Sequence, residues 1–528
     1  MATLGYHNIG DYHSYVSFPE SVRWMGEHAD EDFTNPGAFL SLILVVHESY
    51  HLFQDLVTGL CCWIERRRDD TLPGASTQGS GLDPFFAGHD RGWEALSEQR
   101  LVYSSELTEA LVDAEIRAFP KLADLLRPLM DLTGQDILEC QAAILTELYI
   151  ASLVTQRPSA FSPAVMHELA GSWRMELMPG YNRPWELFKQ WTAAINFTTA
   201  NREHPLHRHC PRAAEYALLA FILDMAVHIP PREMLGELDF ATELPILQDT
   251  APACRFAKLG MSVVPAMLAA VSKGTEISLV PCDLYRWLAP ELEAVVNRAS
   301  QSARAGNVRK IRRSFLGKLL LRLSNQAGDS RRPTFVGIDA TTRGWLEVYR
   351  NHPMKSRFPR LVATRMRALL VRLAHPEVLF EMSPLDFFHH VGLPRYYTTS
   401  EGVATGLPGL TECPPEQAAE FARWGVPNAG LPAIGSGGDG TLYLAVEPYA
   451  FIDEVVLRET TLASLQGRAG NLPLCCPLAT PRLGFYPCPS RRPGCASIPA
   501  LDELPREGCL VRDALETISA SPGGTPCT

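Results

Sequence analysis

The sequence predicts a mainly α protein, and three observations carry that expectation. Long segments near 36–66, 104–118, 134–155 and 212–228 repeat their apolar residues at helical spacing. The connections between them are marked by Gly, Pro, Ser and Asp, notably at 69–83 and 157–163. Strand-like patterning is confined to short stretches late in the chain, the clearest being 441–446 after the glycine-rich loop 435–440.

Taken in chain order, these elements divide into three parts. Residues 1–231 are expected to form a helical domain, opened by the apolar run 38–46 and closed by the apolar helix near 212–228. Residues 232–372 also read as helical but have a different charge. Between 298 and 372 there are 18 Lys and Arg against three acids, a net +15, which leaves −26 for the rest of a chain whose formal net charge is −11. Residues 373–528 are rich in Pro and Gly, hold seven of the 13 cysteines, and are expected to be an irregular α+β region.

Composition narrows the class further. With 46% hydrophobic and 20% charged residues over 528 positions, the chain has ample apolar material for a core, so a disordered or collagen-like chain is excluded. The N-terminal residues show no basic segment followed by an apolar one, which predicts no export signal and a cytoplasmic protein. The longest apolar runs, 38–46 and 216–227, fall short of the roughly 20 residues needed to cross a bilayer, so no membrane span is expected. Thirteen cysteines without a regular spacing, in a reducing compartment, predict free thiols or metal ligands over disulfides.

The residues that carry chemistry are His47-Glu48-Ser49-Tyr50-His51, a His-Glu-x-x-His pattern set inside an apolar helix. At 3.6 residues per turn, His47, His51 and Gln54 or Asp55 share a face, with Glu48 beside them and Thr58 one turn on. Burying such a polar stripe without partners would cost several kcal/mol. A zinc ion satisfies it: the imidazoles at i and i+4 point the same way, and Glu48 lies where it can take a proton from an activated water. The bland alternative is a pair of core histidines bonded to the backbone, with Glu48 paired to an arginine.

A hydrolytic zinc site needs a third protein ligand and an open position. No His follows His51 before His89, so a carboxylate on a later helix is expected. Glu147 is the only charged residue of 140–155, where an isolated carboxylate calls for a cation. Glu109 competes with it, because Glu109 and Asp113 have the spacing of a ligand and its supporting acid, although Glu106, Glu115 and Arg117 on the same helix suggest a solvated face. Gln54 or Asp55 is expected to orient a ligating imidazole through its second ring nitrogen.

The two motifs together, His47-Glu48-x-x-His51-x-x-Gln54 and Ile144-x-x-Glu147-x-x-x-Ala151, resemble those of bacterial proteins that pair a His-Glu-x-x-His-x-x-Gln helix with a later Ile-x-x-Glu-x-x-x-Ala helix. That group is similar to the gluzincin class of zinc metallopeptidases. The resemblance covers about the first 160 residues. It implies a zincin-like N-terminal domain, zinc on His47, His51 and Glu147, and hydrolysis of peptide bonds in a protein or peptide substrate by zinc-activated water, with Glu48 as general base.

The remaining signals read more plainly. Glu203, His204, His207, His209 and Cys210 crowd a Pro-interrupted loop, for which a second metal site is the less favoured reading. Cys475, Cys476, Cys488, Cys495 and Cys509 lack a Cys-x-x-Cys knuckle, which favours thiols over a four-thiolate zinc. The amphipathic basic stretch 309–322 supports a different class of function, a non-catalytic interaction protein that binds nucleic acid or an acidic protein through 298–372. Against it stands a basic region that packs on its acidic neighbours. No Gly-x-Ser-x-Gly nucleophile motif is present, and no dinucleotide fingerprint opens a helix, since the glycine-rich loop 435–440 precedes a strand-like stretch.

Overall fold

A computed structural model describes residues 5–7, 13–16, 32–70, 132–193, 206–229, 338–352, 358–374, 396–398, 404–406 and 442–445, with a few isolated positions between them. Over these residues the chain is mostly helical, as the periodicity predicts. Helix α1 (Pro36–Val57) starts where Asn35 accepts a hydrogen bond from Gly37 N at 2.7 Å and Pro36 takes the first turn. It is buried around most of its circumference, so it lies inside the molecule instead of on its surface. Its buried Ser49 hydroxyl is satisfied locally, on Val45 O at 2.6 Å.

Extended Thr58 breaks the run, and its hydroxyl accepts from Cys61 N at 3.4 Å at the start of α2 (Gly59–Asp70). Glycine is required at this corner: a Cβ on Gly59 would stand 2.0 Å from the Ile229 carbonyl oxygen. Helix α3 (Gly134–Gln156) opens with a reciprocal box in which Thr133 Oγ1 accepts from Asp136 N at 3.1 Å and Asp136 accepts from Thr133 N at 2.7 Å. It is long and apolar enough to cross a membrane by length and composition, yet 78% of its most apolar window is buried inside the protein, the position of a core helix.

After α3 the chain runs through a 3-10 turn (Pro158–Ala160), α4 (Pro163–Glu168), α5 (Ala170–Trp173), a second 3-10 turn (Met175–Leu177) and α6 (Arg183–Thr192). Short α7 (Leu206–His209) then leads into α8 (Ala213–Val227), which is buried almost end to end. Helix α3 packs against both α1 and α8, forming the centre of the core.

Helices α9 (Ile338–Arg350) and α10 (Pro359–Ala374) pack on each other; α10 also lies on α1 and α9 on α2. Arg365, Arg367 and Arg372 of the basic stretch are buried. Arg365 pairs with Glu65 at 2.9 Å and Arg372 with Asp224, so these basic side chains face inward toward acids of the other helices. The stretch 309–322, the C-terminal cysteines, Glu109, Glu203 and His204 lie outside the described residues.

Five short strands form one antiparallel sheet in the order β1 (Gly5–His7), β2 (His13–Val16), β5 (Leu442–Ala445), β3 (Tyr396–Thr398), β4 (Ala404–Gly406). Strand β2 pairs with β5 from Val16 opposite Leu442 to His13 opposite Ala445, and β1 and β2 lie against α1. An early strand beside the helix that carries the histidines thus pairs with one more than 400 residues later.

Candidate metal centre

On α1, His47 and His51 project one turn apart, and their rings meet edge to face with centroids 4.7 Å apart. The third member of the group comes from α3, but it is Glu139. Its Oε2 stands 3.0 Å from His51 Nε2 and 3.4 Å from His47 Nε2, and the two ring nitrogens are 3.1 Å apart. Two nitrogens and one carboxylate oxygen therefore form a nearly equilateral triangle. Around a tetrahedral ion ligated at roughly 2.0–2.2 Å, donor atoms stand about 3.3–3.6 Å from one another. The three atoms already approximate one face of such a tetrahedron, and their residue types suit a divalent ion of zinc character. Among the described residues this is the group of His, Cys, Asp and Glu with metal-binding geometry. Glu139 retains 23% side-chain exposure, so the cluster sits at the rim of the core, where a fourth ligand can enter.

The tautomer of His51 follows from its neighbours. Gln54 donates its amide N–H groups to Leu138 O at 2.9 Å and to Gln141 Oε1 at 2.7 Å, which leaves its Oε1 facing His51 Nδ1 at 2.8 Å. An acceptor there requires Nδ1 to carry the proton, so in the neutral ring the lone pair is on Nε2, aimed at the shared point. Of Gln54 and Asp55, it is Gln54 whose side chain meets the second ring nitrogen of His51. Asp55 turns away, toward Arg365 at 3.8 Å.

The electrostatics are those of a partly buried charge cluster. Burial pulls His51 down, but Glu139 outweighs it and the ring rises to about 9. His47 is lowered, chiefly by burial. Burial disfavours the charged form of Glu139 as well, yet the two histidines hold its carboxyl far below the ordinary range. Glu48 is buried beside them, and that burial, with the nearby Glu139 charge, pushes its carboxyl up to about 7 against the pull of His51.

Glu147, the expected third ligand, is placed elsewhere. It lies eight residues beyond Glu139, about 12 Å along the helix at 1.5 Å per residue. Its Oε2 accepts from Met175 N at 2.9 Å, and its Oε1 from the Cys210 thiol at 3.8 Å. It is a buried acid in need of partners, as its isolation in sequence suggests, but hydrogen-bond donors from later segments satisfy it, and it is not among the three converging groups.

Two residues of the site escape a reading of the sequence. Glu139 looks like one more acid near a helix start. The box pattern Thr133-x-x-Asp136 assigns Asp136 to the cap, which leaves Glu139 as the first unclaimed acid on α3, and that was the available signal. Tyr181 comes from a loop far along the chain. Its ring stands edge-on to His47 at 5.9 Å, and burial together with the charges of Glu139 and Glu48 raises its phenol to about 12, so it remains a hydrogen-bond donor. No family model, curated protein or solved structure matches this chain.

Proposed function

We propose that the chain is a zinc-dependent metallopeptidase of gluzincin-like design, with His47, His51 and Glu139 as the metal ligands and Glu48 as the general base. The observation that carries this reading is the convergence of His47 Nε2, His51 Nε2 and Glu139 Oε2 within 3.0–3.4 Å, inside a His-Glu-x-x-His helix. Zinc held there supplies Lewis-acid polarisation of a peptide carbonyl and an acidified water. Glu48, adjacent to His47, takes the proton from the attacking water and returns it to the leaving amine. Tyr181, protonated and on the His47 side of the cluster, donates to the oxygen on which negative charge develops. Gln54 holds the His51 ring in its ligating tautomer.

The decisive experiment pairs metal analysis with hydrolysis of a fluorescence-quenched peptide library. Glu48→Gln keeps the wild-type zinc content and loses hydrolysis by roughly 10²–10⁴-fold, the usual contribution of a positioned acid–base group. Undiminished cleavage by that variant, or a wild-type protein that takes up no zinc, rejects the reading. A second variant tests the support of the site: Gln54→Leu weakens zinc roughly 10–100-fold in a chelator competition while the protein remains folded. Wild-type affinity in Gln54→Leu would mean that the amide contributes only packing.

A further inference from the structure

Glu147 is buried, and its partners belong to three segments distant from it in sequence. The donors are the Met175 backbone N–H, the Cys210 thiol and the Tyr216 hydroxyl. All three donors are neutral, and burial raises the carboxyl to about 7, with Arg174 attracting the carboxylate and Glu176 repelling it, so the acid is kept here at a cost. The placement of the Met175 bond suggests what the carboxylate does.

From Leu169 to Tyr181 the chain is a succession of tight turns. Ser172 N donates to Leu169 O, Arg174 N to Ala170 O, Leu177 N to Arg174 O, Met178 N to Met175 O and Tyr181 N to Met178 O, at 2.8–3.3 Å. Arg174 is extended, with φ −84° and ψ 113°, and interrupts this ladder, so the N–H of the next residue, Met175, needs a partner outside it. The Glu147 carboxylate is that partner, and Met175 is itself fully buried. From Met175 two turns lead to Gly180, whose φ of +95° suits only glycine, and then to Tyr181 against His47.

Building on the catalytic reading above, we infer that Glu147 is a positioning residue: its carboxylate tethers the 169–181 turn segment at Met175 and so holds Tyr181 beside the metal cluster. Glu139 and Glu147, two turns apart on α3, then divide the labour of one helix. The first faces the histidines, and the second fixes the loop that covers them.

Hydrogen–deuterium exchange of the full-length protein tests the tether without any reference to catalysis. In Glu147→Ala, amides of 175–181 exchange about tenfold faster or more, the equivalent of one lost hydrogen bond, while peptides from α1 exchange as in the wild type. Glu147→Gln, whose side-chain oxygen can accept the same N–H, keeps the wild-type protection. Unchanged exchange at 175–181 in Glu147→Ala, or an equal rise across α1, overturns the inference.

Activity supplies an independent arm. Tyr181→Phe and Glu147→Ala each lower kcat on the quenched peptide library with KM and zinc content unchanged, and the double variant is no slower than Tyr181→Phe alone. Losses that multiply in the double variant overturn the link between the two residues. If the wild type cleaves nothing, the catalytic reading fails, and the exchange experiment still decides whether Glu147 tethers the segment.

Discussion

Glu139→Ala purifies with little or no zinc, whereas Glu147→Ala carries as much as the wild type. Elemental mass spectrometry on the two variants, side by side with the parent, reads this directly. The expectation rests on geometry: Glu139 Oε2 is 3.0 and 3.4 Å from the two imidazole nitrogens, while the Glu147 oxygens accept from Met175 N and Cys210. Removing one of three protein ligands costs more than the roughly 10–100-fold attached to a lost hydrogen-bond partner of a ligand, because the ion loses both a bond and the only negative charge in the triangle. One control keeps the outcome clear. Glu139→Gln preserves the shape of the side chain but removes its charge, and it too loses zinc. Leu138 and Gln141, which anchor Gln54, stay in place in both variants, so the His51 ring keeps its orientation. The reverse pattern, with zinc kept in Glu139→Ala and lost in Glu147→Ala, would return the third ligand to Glu147 and require α3 to turn relative to α1.

The two histidines were readable because their spacing is a local property: an i, i+4 pair on a helix faces one way in any fold. The same holds for Gln54, one turn beyond His51, and for the Thr133–Asp136 box. The choice between Glu139 and Glu147 was not local. Both are acids on one apolar helix, and the rotation of α3 against α1 decides which meets the histidines. That rotation is set by contacts such as Gln54 with Gln141 and Gln141 with Ala220 O, between helices about 80 residues apart in sequence. Tyr181 and the Met175 N–H come from a loop whose path depends on a carboxylate almost thirty residues earlier. The pairing of β2 with β5 joins residues more than 400 positions apart, which no periodicity encodes. Arginines 365 and 372 follow the packing alternative for the basic region, turning inward toward acids of α2 and α8 far from them in sequence.

That inward-facing charge carries the largest stability effect expected of a single substitution. Arg365 is fully buried in α10; its Nη2 and Nε lie 2.9 and 3.0 Å from Glu65 Oε2, and Asp55 of α1 is 3.8 Å away. The Tyr349 hydroxyl of α9 donates to the same Glu65 oxygen. One guanidinium thus joins four helices through two acids, and its removal takes the Arg365 cation away from two buried carboxylates. Arg365→Met is expected to lose about 3–5 kcal/mol of unfolding free energy, the usual cost of breaking a buried pair from one side. Adding Glu65→Gln to Arg365→Met should recover a substantial part of that loss, because the stranded charge is removed while the shape is retained. Denaturant unfolding of the wild type, the single variant and the double variant measures both numbers. A loss below about 1 kcal/mol in Arg365→Met would place the pair in the class of weak, solvent-screened bridges and contradict its burial. Asp55 is the next residue after Gln54, so the same variant should also loosen the support of His51, and a partial fall in zinc content accompanying the lost stability connects the core network to the metal cluster.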